Sequence, residues 1–133
     1  MAASQGGEKL VLTDSMPGNA DLSTKQYYFV KMTAARQVAL CNGATDKPIG
    51  VLTNKPDASG KAANVLVVGI ARVVAGGTIT AGDLIGTDAN GKATTLVPGT
   101  DTTKYIVGTA RQSAVSGDVF EAFVNCANPH RAA

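Results

Sequence analysis

The segment Gly86-Thr87-Asp88-Ala89-Asn90-Gly91-Lys92-Ala93 has the spacing of a phosphate-binding loop up to its last position. That position calls for a Ser or Thr hydroxyl to hold magnesium; here it is Ala93, with Thr94 one residue late. The loop should also open a helix whose amide protons face the phosphates. Instead Ala93-Thr94-Thr95-Leu96-Val97-Pro98 is rich in β-branched residues and stops at a proline. The residues favour a hairpin turn at Ala89-Asn90-Gly91 with Lys92 in water. Asp88-Ala89-Asn90-Gly91 also begins like a calcium loop, but Gly99 stands where the bidentate Glu belongs and Ala93 where the Gly belongs.

Acid–base or nucleophilic catalysis needs a positioned base, and His130, the one histidine, lies four residues from the end of the sequence after Pro129. Cys126 and His130 are spaced as two metal ligands could be, but a closed zinc site wants four, and Cys41 is far away in sequence. These two cysteines form no disulfide framework and are read as buried free thiols. Phe29-Val30-Lys31-Met32 resembles the modified-lysine segment of biotinyl and lipoyl carrier domains, yet no turn residue flanks Lys31, so it is read as an ordinary strand lysine. Tyr27-Tyr28-Phe29 could stack bases or fill a core or interface; with three Phe, three Tyr and no Trp in the chain, core or interface is favoured. The expectation is therefore no catalytic residue, no cofactor and no metal.

The elements that would position any of these residues are strands. The 133 residues suit one domain with its own core. Val, Ile and Thr are abundant, which leans to all-β. No apolar run approaches the roughly 20 residues of a membrane-spanning helix, and Met1–Gly7 lacks the basic-then-apolar pattern of a leader. The formal net charge is +2, with basic residues dispersed and never adjacent, which disfavours a nucleic-acid partner. Runs bounded by Gly, Pro, Asn and Asp predict eight strands at 26–33, 36–41, 49–53, 64–75, 83–87, 93–97, 105–112 and 118–125. Asn42-Gly43 and Asn90-Gly91 are expected to turn hairpins. Residues 1–24 read as a flexible arm outside the core, 25–127 as the body and 128–133 as a short tail.

The run 64–75 is apolar on both faces, Val65, Val67, Gly69, Ala71 and Val73 on one, Leu66, Val68, Ile70 and Val74 on the other, interrupted only by Arg72. A half-buried strand alternates. Either this strand crosses the crowded centre of a barrel or another subunit covers its outer face. An internal echo accompanies it: Gly69-Ile70-Ala71-Arg72 followed by Gly82-Asp83 recurs as Gly108-Thr109-Ala110-Arg111 followed by Gly117-Asp118, two similar strand-turn-strand units.

Lys47-Pro48-Ile49-Gly50-Val51-Leu52, Val67-Val68-Gly69-Ile70-Ala71, Ile79-Thr80-Ala81-Gly82-Asp83-Leu84-Ile85, Asp88-Ala89-Asn90-Gly91-Lys92-Ala93, Ile106-Val107-Gly108-Thr109-Ala110 and Gly117-Asp118, in this order, resemble the bacteriophage capsid cement, or head decoration, proteins over about residues 25–125. The resemblance implies a small β-barrel, β-tulip or sandwich body with an extended N-terminal arm, often trimeric, seated on the outside of a phage head, with no enzyme activity. It implies the major capsid protein and copies of the chain itself as partners, no membrane and no small-molecule substrate, synthesis in the bacterial host cytoplasm and residence on the virion. The residues expected at capsid or subunit contacts are Leu10, Val11 and Leu12 in the arm, with Tyr27, Tyr28, Phe29 and Arg72. The alternatives are another virion part such as a tail or fibre subunit, a nucleotide-binding domain acting through Lys92, and a carrier domain modified at Lys31.

Overall fold

The computed structural model describes residues 8–133. In chain order the strands are β1 (Lys9–Pro17), β2 (Phe29–Ala34), β3 (Gln37–Leu40), β4 (Gly50–Leu52), β5 (Ala62–Val74), β6 (Leu84–Thr87), β7 (Ala93–Thr95), β8 (Tyr105–Ile106), β9 (Gly108–Ala110), β10 (Val119–Asn125) and β11 (His130–Arg131). There is no helix among the described residues. The fold is all-β, a curled antiparallel half-barrel with strand order β3-β2-β4-β5-β10-β9-β6-β7. The curl brings the β6–β7 hairpin back onto the rest of the sheet: Phe29 N–H of β2 donates to Gly91 O at 2.8 Å, and Gly76 N–H, just after β5, donates to Ala93 O at 2.8 Å.

Strand β5 is the axis. Residues 68–70 pair with β1 and β10 at once, so those two strands lie on opposite edges of β5. Near its start β5 pairs with β4 on the edge that β10 takes later, through Val51 opposite Leu66 and Leu52 opposite Val65. The sheet therefore forks, one wing through β4 and the other through β10.

The two faces of β5 meet different environments along its length. Ala71 and Val73 enter the principal core with Phe29, Val51, Ile85, Phe120 and Val124. Toward the start of the strand, however, the residue facing that core is the even-numbered Leu66, while Ala63 and Val65 belong to a second core with Met16, Leu22, Val30, Val38 and Leu52. The alternation slips by one residue near Val67, where the pairing with β1 also shifts register on both sides of Leu12. Such a bulge bends a strand and re-aims its side chains. Barrel crowding thus explains the two-faced apolar pattern only for the first half of β5, where Val65 and Leu66 are both fully buried.

Residues 9–17, expected within an arm outside the core, form β1 along β5 with Met16 buried, and Leu22 is buried beyond them. Composition offers only local cues, whereas β1 is held by a partner some 50 residues away in sequence. Residues 1–7 of that arm lie outside the described residues. The tail is pinned too: His130 and Arg131 pair with Ile106 and Tyr105, and Ala132 N–H donates to Lys104 O at 2.9 Å. The run 105–112 is two strands, broken at the buried Val107.

Asn90-Gly91 turns the β6–β7 hairpin, with Gly91 at φ +80°. Asn42-Gly43 does not turn a hairpin, because β2 lies between β3 and β4; the β2–β3 turn is at Ala34–Arg36, with Arg36 at φ +58°. The Gly-Asp echo is a structural repeat. Gly82 and Gly117 have φ near +90°, and Asp83 and Asp118 each accept an N–H three residues back, from Thr80 at 2.9 Å and Val115 at 3.1 Å. Each turn then caps the other unit's strand, since Gly82 N–H donates to Ala110 O and Gly117 N–H to Ala75 O, both at 2.8 Å.

Candidate functional site

The hairpin with phosphate-loop spacing is closed upon itself. Asp88 Oδ1 accepts the N–H groups of Asn90 at 2.8 Å and Lys92 at 2.9 Å, and Asp88 N–H donates to Lys92 O at 2.8 Å. An aspartate carboxylate occupies the place where a phosphate would sit. The chain leads into β7 and not into a helix. For the calcium pattern, the hairpin supplies the carboxylate of Asp88 alone, with no three His, Cys, Asp or Glu side chains converging among the described residues.

Lys31 on β2 is held by its neighbours: Nζ donates to Asn42 Oδ1 at 2.7 Å and to Asp46 Oδ2 at 2.9 Å. The same Asp46 oxygen accepts the N–H groups of Asn42 at 2.9 Å and Gly43 at 3.0 Å. Burial by itself would raise the Asp46 carboxyl, but the hydrogen bonds from Lys31, Asn42 and Gly43 outweigh it and hold the group below its ordinary value. This is an ion pair tying the β3–β4 loop to β2, not a lysine presented on a hairpin tip. Cys41 and Cys126 are free and buried, and burial first of all pushes both thiols up to about 12. Among the described residues no three His, Cys, Asp or Glu side chains converge as metal ligands, and His130 is exposed on β11.

The feature left open is a surface. On β10, Phe120, Ala122 and Val124 point into the core, so Val119, Glu121, Phe123 and Asn125 point outward. Directly opposite on β5 stand Val74, Arg72, Ile70 and Val68, and beyond them on β1 Lys9 faces Ile70 and Leu12 faces Val68. Residues opposite one another in an antiparallel pair share a face. The outer face of β1, β5 and β10 therefore carries Leu12, Val68, Ile70, Val74, Val119 and Phe123.

Much of that face is bare: Val119 is 50% exposed, Phe123 51% and Leu12 49%. At its margin Val11, displaced by the bulge, is 74% exposed, and Leu10, opposite Gly69 and so on the other side of the sheet, is 62% exposed. A row of charge crosses the middle. Glu121 lies opposite Arg72, and its carboxylate is 3.2 Å from the Arg111 guanidinium, which itself sits 5.8 Å from the centre of the Phe123 ring. Phe and Arg are the residue types enriched where proteins meet.

Of the residues expected at contacts, the fold puts Leu12 and Arg72 on this face and Val11 at its margin, while Leu10 lies on the other side of the sheet with Thr13 and Ser15. Tyr27, at φ +71°, accepts the Val74 N–H through its carbonyl at 3.0 Å at the far end of β5. Tyr28 is half-buried with the Lys25 ammonium 5.1 Å from its ring centre. Phe29 is fully buried and takes the core alternative of its cluster, so it is not a surface contact. Sequence reasoning did not single out Phe123, Val119 or Ile70 as contacts. The signal was present, because 119–124 is apolar on both faces apart from Glu121, the counterpart of Arg72 in β5.

The fold is similar to that of the N base of head fiber gp8.5 in bacteriophage phi29, with a TM-score of 0.66 and 16% sequence identity over 86% of this chain and 94% of that one. No curated protein matches the sequence. The model of the phage cement protein family matches residues 7–126, from just before β1 to the end of β10. The chain belongs to the phage cement protein family and is a structural protein of the phage virion.

Proposed function

We propose that this protein binds the outer surface of an assembled phage capsid as a homotrimer and stabilises it by clamping adjacent subunits of the major capsid protein, without catalysing a reaction. The observation that carries this reading is the bare apolar face of β1, β5 and β10, where Leu12, Val119 and Phe123 are each at least 49% exposed, with the bulged Val11 at its margin. A contiguous apolar surface of this kind marks a protein partner. Leu10, Val11, Leu12 and Arg72 are the proposed contacts to the capsid protein or to a neighbouring copy. A trimer matches a threefold position on a shell, and three weak attachments made together give avidity far above any single one. A ligand that binds only the assembled lattice stabilises it by linkage.

The test is co-sedimentation of the purified chain with assembled heads, alongside heat-induced rupture of those heads with and without it. Wild type is expected to pellet with particles and to raise the rupture temperature, and the Leu10→Asp/Val11→Asp variant to pellet poorly. Equal binding to unassembled capsid protein, or no binding to heads, would count against the clamp. A second reading, the base of a head fibre, takes its support from the similarity to the head fiber base. Immunolabelling distinguishes the two, since a clamp decorates the whole shell and a fibre base carries a projecting shaft.

A further inference from the structure

We propose that Arg72 selects the partner of the outer face: the capsid-protein surface seated on β1, β5 and β10 presents an acidic side chain within an apolar surround, and the Arg72 guanidinium takes its carboxylate. The inference rests on the capsid-binding reading above and names the chemistry that the partner must bring.

The surroundings of Arg72 carry the argument. Ile70 and Val74 lie two residues away on the same face of β5, and on β10 Val119 and Phe123 flank Glu121, the residue opposite Arg72. Arg72 is thus an exposed cation at the middle of an apolar surround. The Glu121 carboxylate lies 3.2 Å from the Arg111 guanidinium. Among the described residues the Arg72 side chain itself makes no hydrogen bond or ion pair. The row therefore holds two guanidinium groups to one carboxylate, and Lys9, across from Ile70 on β1, is a further cation on the same face.

In water that surplus is solvated. A surface that covers Val119 and Phe123, each about half exposed, also takes water from the charged row between them. A guanidinium covered without an acceptor loses hydration that nothing replaces. An acceptor supplied by the partner offsets that loss, and a carboxylate matches the planar fork of a guanidinium with two parallel hydrogen bonds. A second copy of the same face would instead lay guanidinium against guanidinium. The consequence is specificity. A bare apolar patch accepts any apolar surface, whereas a cation set within it rejects surfaces that bring no acid.

The experiment is co-sedimentation of the full chain with assembled heads at low and moderate salt, for wild type, Arg72→Met and Arg72→Lys, with the mass of each chain in solution measured without particles. Arg72 is exposed, so both variants should keep the wild-type circular dichroism and melting curve. Arg72→Met retains an apolar side chain of similar length and is expected to weaken head binding at least about 30-fold, with a smaller response to salt. Arg72→Lys keeps the charge without the fork and should fall between the two. If the capsid surface offers no acid, removing the guanidinium removes a desolvation cost, and Arg72→Met binds heads as tightly as wild type or more tightly. That result overturns the inference and leaves the clamp standing. A wild type that does not pellet with heads removes the clamp and this inference with it. A changed solution mass for Arg72→Met with unaltered head binding assigns the acid to a second copy, which also overturns the inference.

Discussion

The membership of β1 in the cooperative fold can be tested through Met16. It is the one buried side chain of β1, 6% exposed, opposite Ala63 in register and packed with Leu22, Val30, Val38, Leu52 and Val65. Met16→Ala removes a thioether from this second core, and such truncations cost about 2–5 kcal/mol. The cluster is small and lies at the flank of the sheet, where neighbours can relax inward, so we expect about 2–3 kcal/mol. With an m value of about 1–3 kcal/mol per molar urea, the unfolding midpoint should fall by about 1–2 M. Val11→Ala in the same strand is the control, within about 0.5 kcal/mol of wild type because Val11 is exposed. Equilibrium urea unfolding, followed by far-UV circular dichroism and tyrosine fluorescence, reads both. If Met16→Ala unfolds at the wild-type midpoint, β1 is not part of the cooperative unit and the packing argument is refuted. A chain lacking residues 1–20 should lose more than Met16→Ala does, since the whole β1–β5 ladder goes with it.

Other expected outcomes follow from single contacts. A Cβ on Gly69 would sit against Lys9 O and one on Gly108 against Phe123 O, both within backbone; Gly69→Ala should loosen β1 and Gly108→Ala the β9–β10 pairing, each lowering the melting temperature by several degrees. The two thiols, pushed up by burial to about 12, should resist a thiol reagent at pH 8 in the native protein and react fully in urea. Because their folded values lie above the unfolded one, their contribution to stability is complete below about pH 9 and is lost as pH rises toward 12, observable as a falling urea midpoint. Asp46→Ala should cost about 1–2 kcal/mol by leaving Lys31 and the Asn42 and Gly43 N–H groups without their carboxylate. In wild type that carboxylate titrates below its ordinary value, so its contribution is present above about pH 4 and fades as pH falls further, which an acid-unfolding curve of the two proteins compares. Equilibrium binding of labelled ATP with magnesium should show no saturation, since Asp88 already takes the hairpin N–H groups; saturable binding lost in Lys92→Ala would reverse that reading.

Local chemistry determined much of this molecule in advance. Strand is found in each of the eight predicted runs, with 105–112 divided in two, because β-branched residues, apolar alternation and Gly-Asp turns act over a few residues; Asn-Gly was less reliable, turning a hairpin at Asn90-Gly91 and not at Asn42-Gly43. The phosphate-loop candidate was decided at the same range, by a missing hydroxyl and a strand in place of a helix. Tertiary structure decided what cannot be stated within ten residues. Apolarity on both faces of β5 showed that both needed covering, but only the packing reveals that Val65 and Leu66 are covered by this chain while Ile70 and Arg72 belong to an outer face that it leaves open. Leu10, Val11 and Leu12 could be picked out by type, yet that Leu12 shares a face with Phe123 while Leu10 does not arises from β1 and β10 flanking the same strand from opposite edges and from the bulge at Val11. Phe29 lay in an aromatic run suited to core or interface, and the closure of the half-barrel put it inside. Burial belongs to surfaces brought together from distant parts of the chain, whereas a residue's neighbours in sequence set only its direction along a strand.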